Sequence, residues 1–130
     1  MLFECLMVGL GGFVGSVLRY LMGFIKVHES TTFPVNTFFI NMLGVLLISF
    51  IAYYITNSTS ANVDSSTLKY IILFLKVGVC GGFTTFSTFA LETGDLLKTG
   101  NVEVAFVYVL LSVVVGVSLI FLPDLLIKSV

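Results

Sequence analysis

The chain has 130 residues, of which 58% are hydrophobic and 10% charged, with a mean hydropathy of +1.14. A soluble domain carries about a quarter charged residues, so this composition excludes one and defines an integral membrane protein. A formal net charge of -1 with no basic cluster excludes a nucleic-acid footprint, and Cys5 and Cys80 lie far apart without metal-ligand spacing.

Four apolar stretches, roughly 2 to 26, 33 to 56, 68 to 97 and 102 to 127, are each long enough to cross about 30 Å of hydrocarbon. The first lacks the basic start of a signal peptide and is too long for its apolar region, so it reads as a span. The polar 57–67 stretch reads as a loop in water, short links near 27–32 and Gly100 join the other spans, and no internal repeat or second domain is visible. In the first span Gly11, Gly15, Arg19 and Gly23 recur every four residues. Small residues at that spacing let helix backbones approach closely in lipid. Arg19 is different, because a guanidinium near the bilayer centre costs about 2.5 to 3.5 kcal/mol and calls for a partner or a cavity, unless it snorkels to the headgroups.

The second span opens with Phe33-Pro34, and proline in a first helical turn loses no hydrogen bond, which predicts the helix start there. Thr37, Asn41 and Gly44 then share one face. Asn41 is the informative residue, since its amide must find another helix, water or an ion.

The third span carries Gly81-Gly82-Phe83-Thr84-Thr85-Phe86-Ser87-Thr88-Phe89. Two adjacent glycines cost a helix about 1 kcal/mol each, and Thr and Ser offer its backbone competing bonds, so the sequence predicts a break near 80–85, at bilayer depth. Irregular backbone at that depth must be buried by protein or line a wet cavity, and discontinuous helices of this kind often hold ions. Lys69 and Lys76 precede the break on similar faces, with Lys76 either in a water-filled vestibule or snorkelling. Glu92 follows it by one turn beyond Thr88, and either ends a polar row or caps the membrane face. The fourth span places Tyr108, Ser112 and Gly116 at four-residue spacing, two more donors on one face, unless Ser112 satisfies its own helix.

With alternating spans, Lys69 and Lys128 flank one side and Lys26 and Lys98 the other, so the positive-inside rule selects neither orientation. Such a chain can insert both ways and pair with an inverted copy about an axis in the membrane plane.

The strings Gly11-Gly12-Phe13-Val14-Gly15-Ser16-Val17-Leu18-Arg19-Tyr20, Asn36-Thr37 with Asn41 and Gly44, and above all Gly78 to Phe89 resemble the fluoride ion channel family, often called Fluc, across essentially the whole chain. The resemblance implies an all-α membrane protein of four transmembrane helices with the third broken near its middle, assembled as an antiparallel, dual-topology homodimer with two fluoride pores. It implies a multi-pass protein of the cell membrane, the inner one where the host has two. By that resemblance Asn41 lines a pore, Phe86 and Phe89 present ring edges to fluoride, and Thr37, Ser87, Thr88, Tyr108 and Ser112 continue a polar track. Gly81 and Thr84 offer backbone carbonyls from both subunits to a central structural sodium, and Arg19 is structural or vestibular. Gly116 stands where other members carry a hydroxyl, and Lys76 lies outside the family motif.

The rival is a small multidrug-resistance-type exporter, a dual-topology dimer exchanging cations for protons. It needs a carboxylate in mid-span, whereas Glu4, Glu29, Glu92, Asp95, Glu103 and Asp124 read as lying near span ends and Asp64 in a loop. An enzyme is disfavoured because His28, the single histidine, lies in a loop with no acid or nucleophile in a recognisable set.

Overall fold

The computed structural model describes residues 1–25, 31–57 and 64–128, with the Lys128 side chain excepted. Every regular element among the described residues is helical: α1 (Leu2–Met22), α2 (Val35–Asn57), α3 (Ser65–Ile72), a π-helical segment (Leu73–Cys80), α4 (Gly81–Phe83), α5 (Phe86–Lys98), α6 (Val102–Leu119) and α7 (Leu122–Lys128). They form four spans, Leu2–Met22, Val35–Asn57, Ser65–Lys98 and Val102–Ile127, each long and apolar enough to cross a bilayer. In the most apolar 18-residue stretch of each span only 11% to 22% is buried inside the chain, which leaves much apolar surface for lipid or another copy. The expectations resting on Lys26, His28, Glu29 and the Lys128 side chain lie outside the described residues.

Glycine contacts bring α1 onto the third span. A Cβ on Gly11 would collide with the Phe74 carbonyl oxygen, and one on Gly15 with the Val79 carbonyl oxygen. From the other side, a Cβ on Gly78 would lie 2.7 Å from Gly11 Cα, and one on Gly82 would lie 2.5 Å from the Gly12 carbonyl oxygen. Two stripes of small residues at four-residue spacing therefore face one another, as expected where packing rather than hydrophobic force joins helices in lipid. Gly23 is not part of this contact. It closes α1, its N–H donating to the Arg19 and Tyr20 carbonyls.

The glycine pair does not break the third span. Gly81 and Gly82 are helical, and the extended residues are Thr84 (φ -79°, ψ 159°) and Thr85 (φ -149°, ψ 111°). Gly82 stays helical because its missing side chain is what admits α1. The break falls where hydroxyl side chains replace backbone bonds: Thr84 Oγ1 donates to the Cys80 carbonyl at 2.9 Å, closing α4, and Thr85 Oγ1 accepts from the Thr88 N–H at 3.2 Å, capping α5.

The other ends have local causes. Helix α2 begins one residue after Pro34, whose carbonyl accepts from Phe38 N–H, so Pro34 occupies the cap position rather than the first turn. Helix α5 ends at Lys98 and the chain turns at Gly100, where φ is 80°; Gly100 N–H reaches Leu97 O at 3.2 Å and Asn101 N–H reaches Leu96 O at 2.8 Å, a pairing that a left-handed glycine permits. The fourth span is interrupted between Leu119 and Leu122, a turn the apolar run conceals. Pro123 has no N–H to continue the ladder, and its ring disfavours an uninterrupted helix. Leu96, Ala105 and Tyr108 form a buried cluster where α5 meets α6, packed by Phe33, Phe38 and Phe89. At one end of the bundle Lys69 pairs with Glu4 at 2.6 Å, joining α3 to α1.

Candidate functional site

The break is held open by a side chain from another helix. Asn41 on α2 accepts from the Thr85 N–H at 2.8 Å through Oδ1 and donates to the Thr85 carbonyl at 3.2 Å through Nδ2. One amide thus satisfies both backbone groups of an extended residue, as the neighbouring strand of a sheet would. The consequence reaches back one turn. The Thr85 N–H, which a continuous helix would give to the Gly81 carbonyl, is withdrawn from it. Gly44, three residues along α2, makes room, since a Cβ there would collide with Thr84 Cγ2. Arg19 reaches the same place from α1, Nη1 donating to the Thr84 carbonyl at 3.5 Å. Its guanidinium is directed to the break rather than to the headgroups.

A cavity of about 440 Å³ opens on this break, lined among others by Asn41, Lys76, Gly81, Thr84, Phe86 and Ser112. Ser112 makes no hydrogen bond among the described residues, so its hydroxyl is not spent on its own helix, unlike that of Ser118, which donates to Val114 O at 2.7 Å. Phe86 is 79% exposed within the chain. It lies 5.8 Å from Phe89, tilted by 42°, and Phe89 in turn lies 5.0 Å from Tyr108. Thr85 Oγ1 also donates to Thr88 Oγ1 at 2.9 Å and approaches Ser87 Oγ at 3.4 Å, so the hydroxyls around the α5 N-terminus form one group.

Further along α5 the row meets a carboxylate. Thr37 donates to Glu92 Oε1 at 2.7 Å and Tyr108 donates to Glu92 Oε2 at 2.8 Å. Tyr108 is fully buried and Thr37 is 6% exposed, so three helices are tied together here by two charge-assisted bonds. Glu92 therefore ends the polar row, where the third span meets α2 and α6. In this arrangement the Thr37 and Tyr108 hydroxyl hydrogens point at a carboxylate, and an anion entering the row must first replace it. The donors left for an anion among these groups are the second amide hydrogen of Asn41 and the hydroxyls of Thr88, which accepts from Thr85 without donating, and of Ser112.

Thr85 is the site residue that sequence reasoning passed over. Its signal was present, a threonine three residues before Thr88 at the head of a new helix, which is a capping pattern. Lys69 and Lys76 were expected on similar faces, yet Lys69 pairs with α1 while Lys76 borders cavities beside α2. The π geometry of Leu73–Cys80 changes the angular spacing between them.

Four apolar spans, one interrupted where uncharged donors and a cavity meet, define a small multi-pass membrane protein built around a discontinuous helix. The chain belongs to the CrcB family: the family model described as CrcB-like protein, Camphor Resistance (CrcB), matches residues 6–123. It is 42% identical over 123 residues to the fluoride-specific ion channel FluC of Chlorobaculum tepidum, covering 95% of this chain and 93% of that protein. It is 45% identical over 113 residues to the protein of the same name from Phocaeicola vulgatus, covering 86% of this chain and 88% of the relative. For the one from Clostridium perfringens the identity is 43% over 117 residues, with 89% and 85% covered.

Proposed function

We propose that the protein is a fluoride-selective channel through which fluoride leaves the cytoplasm passively, working as an antiparallel, dual-topology homodimer with two pores. The observation that carries this reading is the cavity on the break, where Asn41 and Ser112 offer neutral donors beside the Phe86 ring. Fluoride is small and strongly hydrated, so donors must replace its water at close range, and a full fixed charge within the narrow path would trap it. Ring edges carry the positive part of the aromatic quadrupole and assist an anion that ring faces repel. The relatives' name for the ion supports the same choice.

What one chain leaves uncovered supports the dimer. Phe86 is exposed, and a Cβ on Gly81 would meet nothing within 4 Å, so the break offers an open backbone surface. The balance of lysines at the span ends supports insertion in both orientations. A monovalent cation fits between two such breaks. The Gly81 carbonyl lacks the Thr85 N–H, and among the described residues the Thr84 carbonyl receives only the long Arg19 contact at 3.5 Å. Carbonyl oxygens suit a hard cation such as sodium. One chain would supply two of them and an inverted partner two more, and a bound cation would offset the carbonyl dipoles of both breaks.

Liposome efflux tests the reading. Reconstituted protein is expected to release fluoride and to retain chloride, and equal rates for the two anions would overturn it. The rival reading, a proton-coupled cation exporter, would use Glu92, the carboxylate that accepts from two other spans. Fluoride efflux that persists without a pH gradient excludes that rival.

A substitution pair tests the rings. Phe86→Ile and Phe89→Ile, made separately, are expected to keep the dimer on size exclusion and to lower fluoride efflux at least about tenfold, equivalent to about 1.4 kcal/mol of barrier. Space-filling alone predicts little change, since swaps of similar volume cost under about 1.5 kcal/mol. Phe83→Ile is the packing control. Phe83 is buried beside Gly15 and Gly44, and its loss is expected to lower stability while efflux stays within about twofold. Wild-type efflux in both ring variants would reduce these rings to filler.

A further inference from the structure

Lys76 is the charged residue that the family motif does not account for. Among the described residues Lys69 pairs with Glu4, Lys98 with Asp95, and Arg19 reaches the Thr84 carbonyl, whereas Lys76 has no hydrogen bond or ion pair. Its direction is set by packing. Gly78 is pressed against α1, and a residue two positions earlier lies roughly 160 to 200° around a helix, so Lys76 points away from α1. There it borders two cavities at once. One is the 440 Å³ cavity on the break, and the other is a cavity of about 370 Å³ lined by Ser49, Tyr53, Thr56, Asn57 and Asp124. The second cavity runs toward the C-terminal ends of α2 and of the fourth span, that is, toward water.

Depth makes this position informative. The third span has its middle near Gly81 and Gly82, and Lys76 precedes Gly81 by five residues. At about 1.5 Å per residue it sits roughly 8 Å from the midplane, inside the half-thickness of about 15 Å. An ammonium at such a depth is retained where water, an ion or a partner solvates it. The cavity supplies the water, and the proposed channel supplies the ion.

We propose that Lys76 is an anion-binding residue at the junction of the two cavities, holding a small hydrated anion before it enters the break. The proposal rests on the channel reading. Lysine suits the place because its ammonium is compact and strongly hydrated. It concentrates anions while they keep most of their water, and leaves the final exchange of water for protein donors to Asn41 and Ser112. A single ammonium at the junction of two cavities attracts without enclosing the anion.

The test is the concentration and salt dependence of fluoride efflux from neutral-lipid liposomes, with potassium gluconate as the inert salt. In the wild type the fluoride concentration giving half-maximal rate is expected to rise at least about threefold between 0.1 M and 1 M salt, because the screening length shrinks from about 10 Å to about 3 Å. Lys76→Gln is expected to keep the dimer and its rate at saturating fluoride within about twofold. At 0.1 M salt it should need at least about threefold more fluoride than the wild type and show no further salt effect. Lys76→Arg is expected to retain the wild-type behaviour. A salt-independent wild type, or a Lys76→Gln protein with the wild-type dependence, overturns the proposal and reduces Lys76 to a contact with lipid phosphate. A wild type that passes no fluoride overturns the channel reading instead. The line width of the fluoride ¹⁹F resonance in the solubilised protein then decides Lys76 separately, being expected to narrow in Lys76→Gln and overturning the proposal if it does not.

Discussion

Gly15→Ala is expected to prevent the chain from folding into its native bundle. The added methyl would collide with the Val79 carbonyl oxygen and lie 2.8 Å from Phe83 N, so both of its nearest neighbours are backbone atoms in helices. No rotamer change relieves such a clash, and α1 must move away from the third span along its whole contact. Overpacking a core costs about 1 to 3 kcal/mol when side chains can shift. With backbone on both sides the cost should reach at least the top of that range. Gly11→Ala should behave likewise, its Cβ meeting the Phe74 carbonyl oxygen and, at 2.9 Å, Gly78 Cα. Gly9→Ala is the control, because a Cβ there meets nothing within 4 Å. Dimer yield on size exclusion and thermal unfolding in detergent measure the difference. A Gly15→Ala protein that matches Gly9→Ala in both would show that α1 does not pack as described.

The same glycines explain how much was legible beforehand. Span number and position followed from apolar length alone, because a bilayer leaves the backbone few alternatives to a helix. The stripe at Gly11 and Gly15 was readable for the same reason, as was a break in the third span. Its position was not readable from the glycines, since Gly81 and Gly82 have two opposed uses. In isolation they weaken a helix, and against α1 they permit contact that a larger residue forbids. The partner helix decides between them, and no local pattern names the partner. Thr84 and Thr85 carry the break because each has a side chain able to close or cap a helix, and because Asn41 lies opposite. Glu92 was legible only as one of two alternatives, the end of a polar row or a boundary charge, because Thr37 and Tyr108, which supply the donors that make it the end of a row, come from two other spans. The interruption before Leu122 was hidden because Pro123 sits in an apolar run that hydropathy reads as continuous.

Asn41→Ala is expected to lower fluoride efflux at least about tenfold, equivalent to about 1.4 kcal/mol of barrier, and also to destabilise the fold. A residue acting only as a pore donor predicts the first effect without the second. The geometry predicts both, because the Asn41 amide is the partner of both the Thr85 N–H and the Thr85 carbonyl. Thr85 is 7% exposed, so water reaches these groups poorly once the amide is gone. A buried group left without its bond costs about 1 to 3 kcal/mol. The chain can avoid that cost by letting Thr85 rejoin the helix and return its N–H to Gly81, which erases the break and the open carbonyl with it. Asn41→Asp separates the two roles. Its carboxylate still accepts from the Thr85 N–H but cannot donate to the Thr85 carbonyl or to an anion. It should therefore hold stability between those of Asn41→Ala and the wild type while conducting no better than Asn41→Ala. Thermal unfolding and liposome efflux measured on the same preparations decide the matter. If Asn41→Ala loses efflux at wild-type stability, Asn41 is a donor to the ion and the break stands without it.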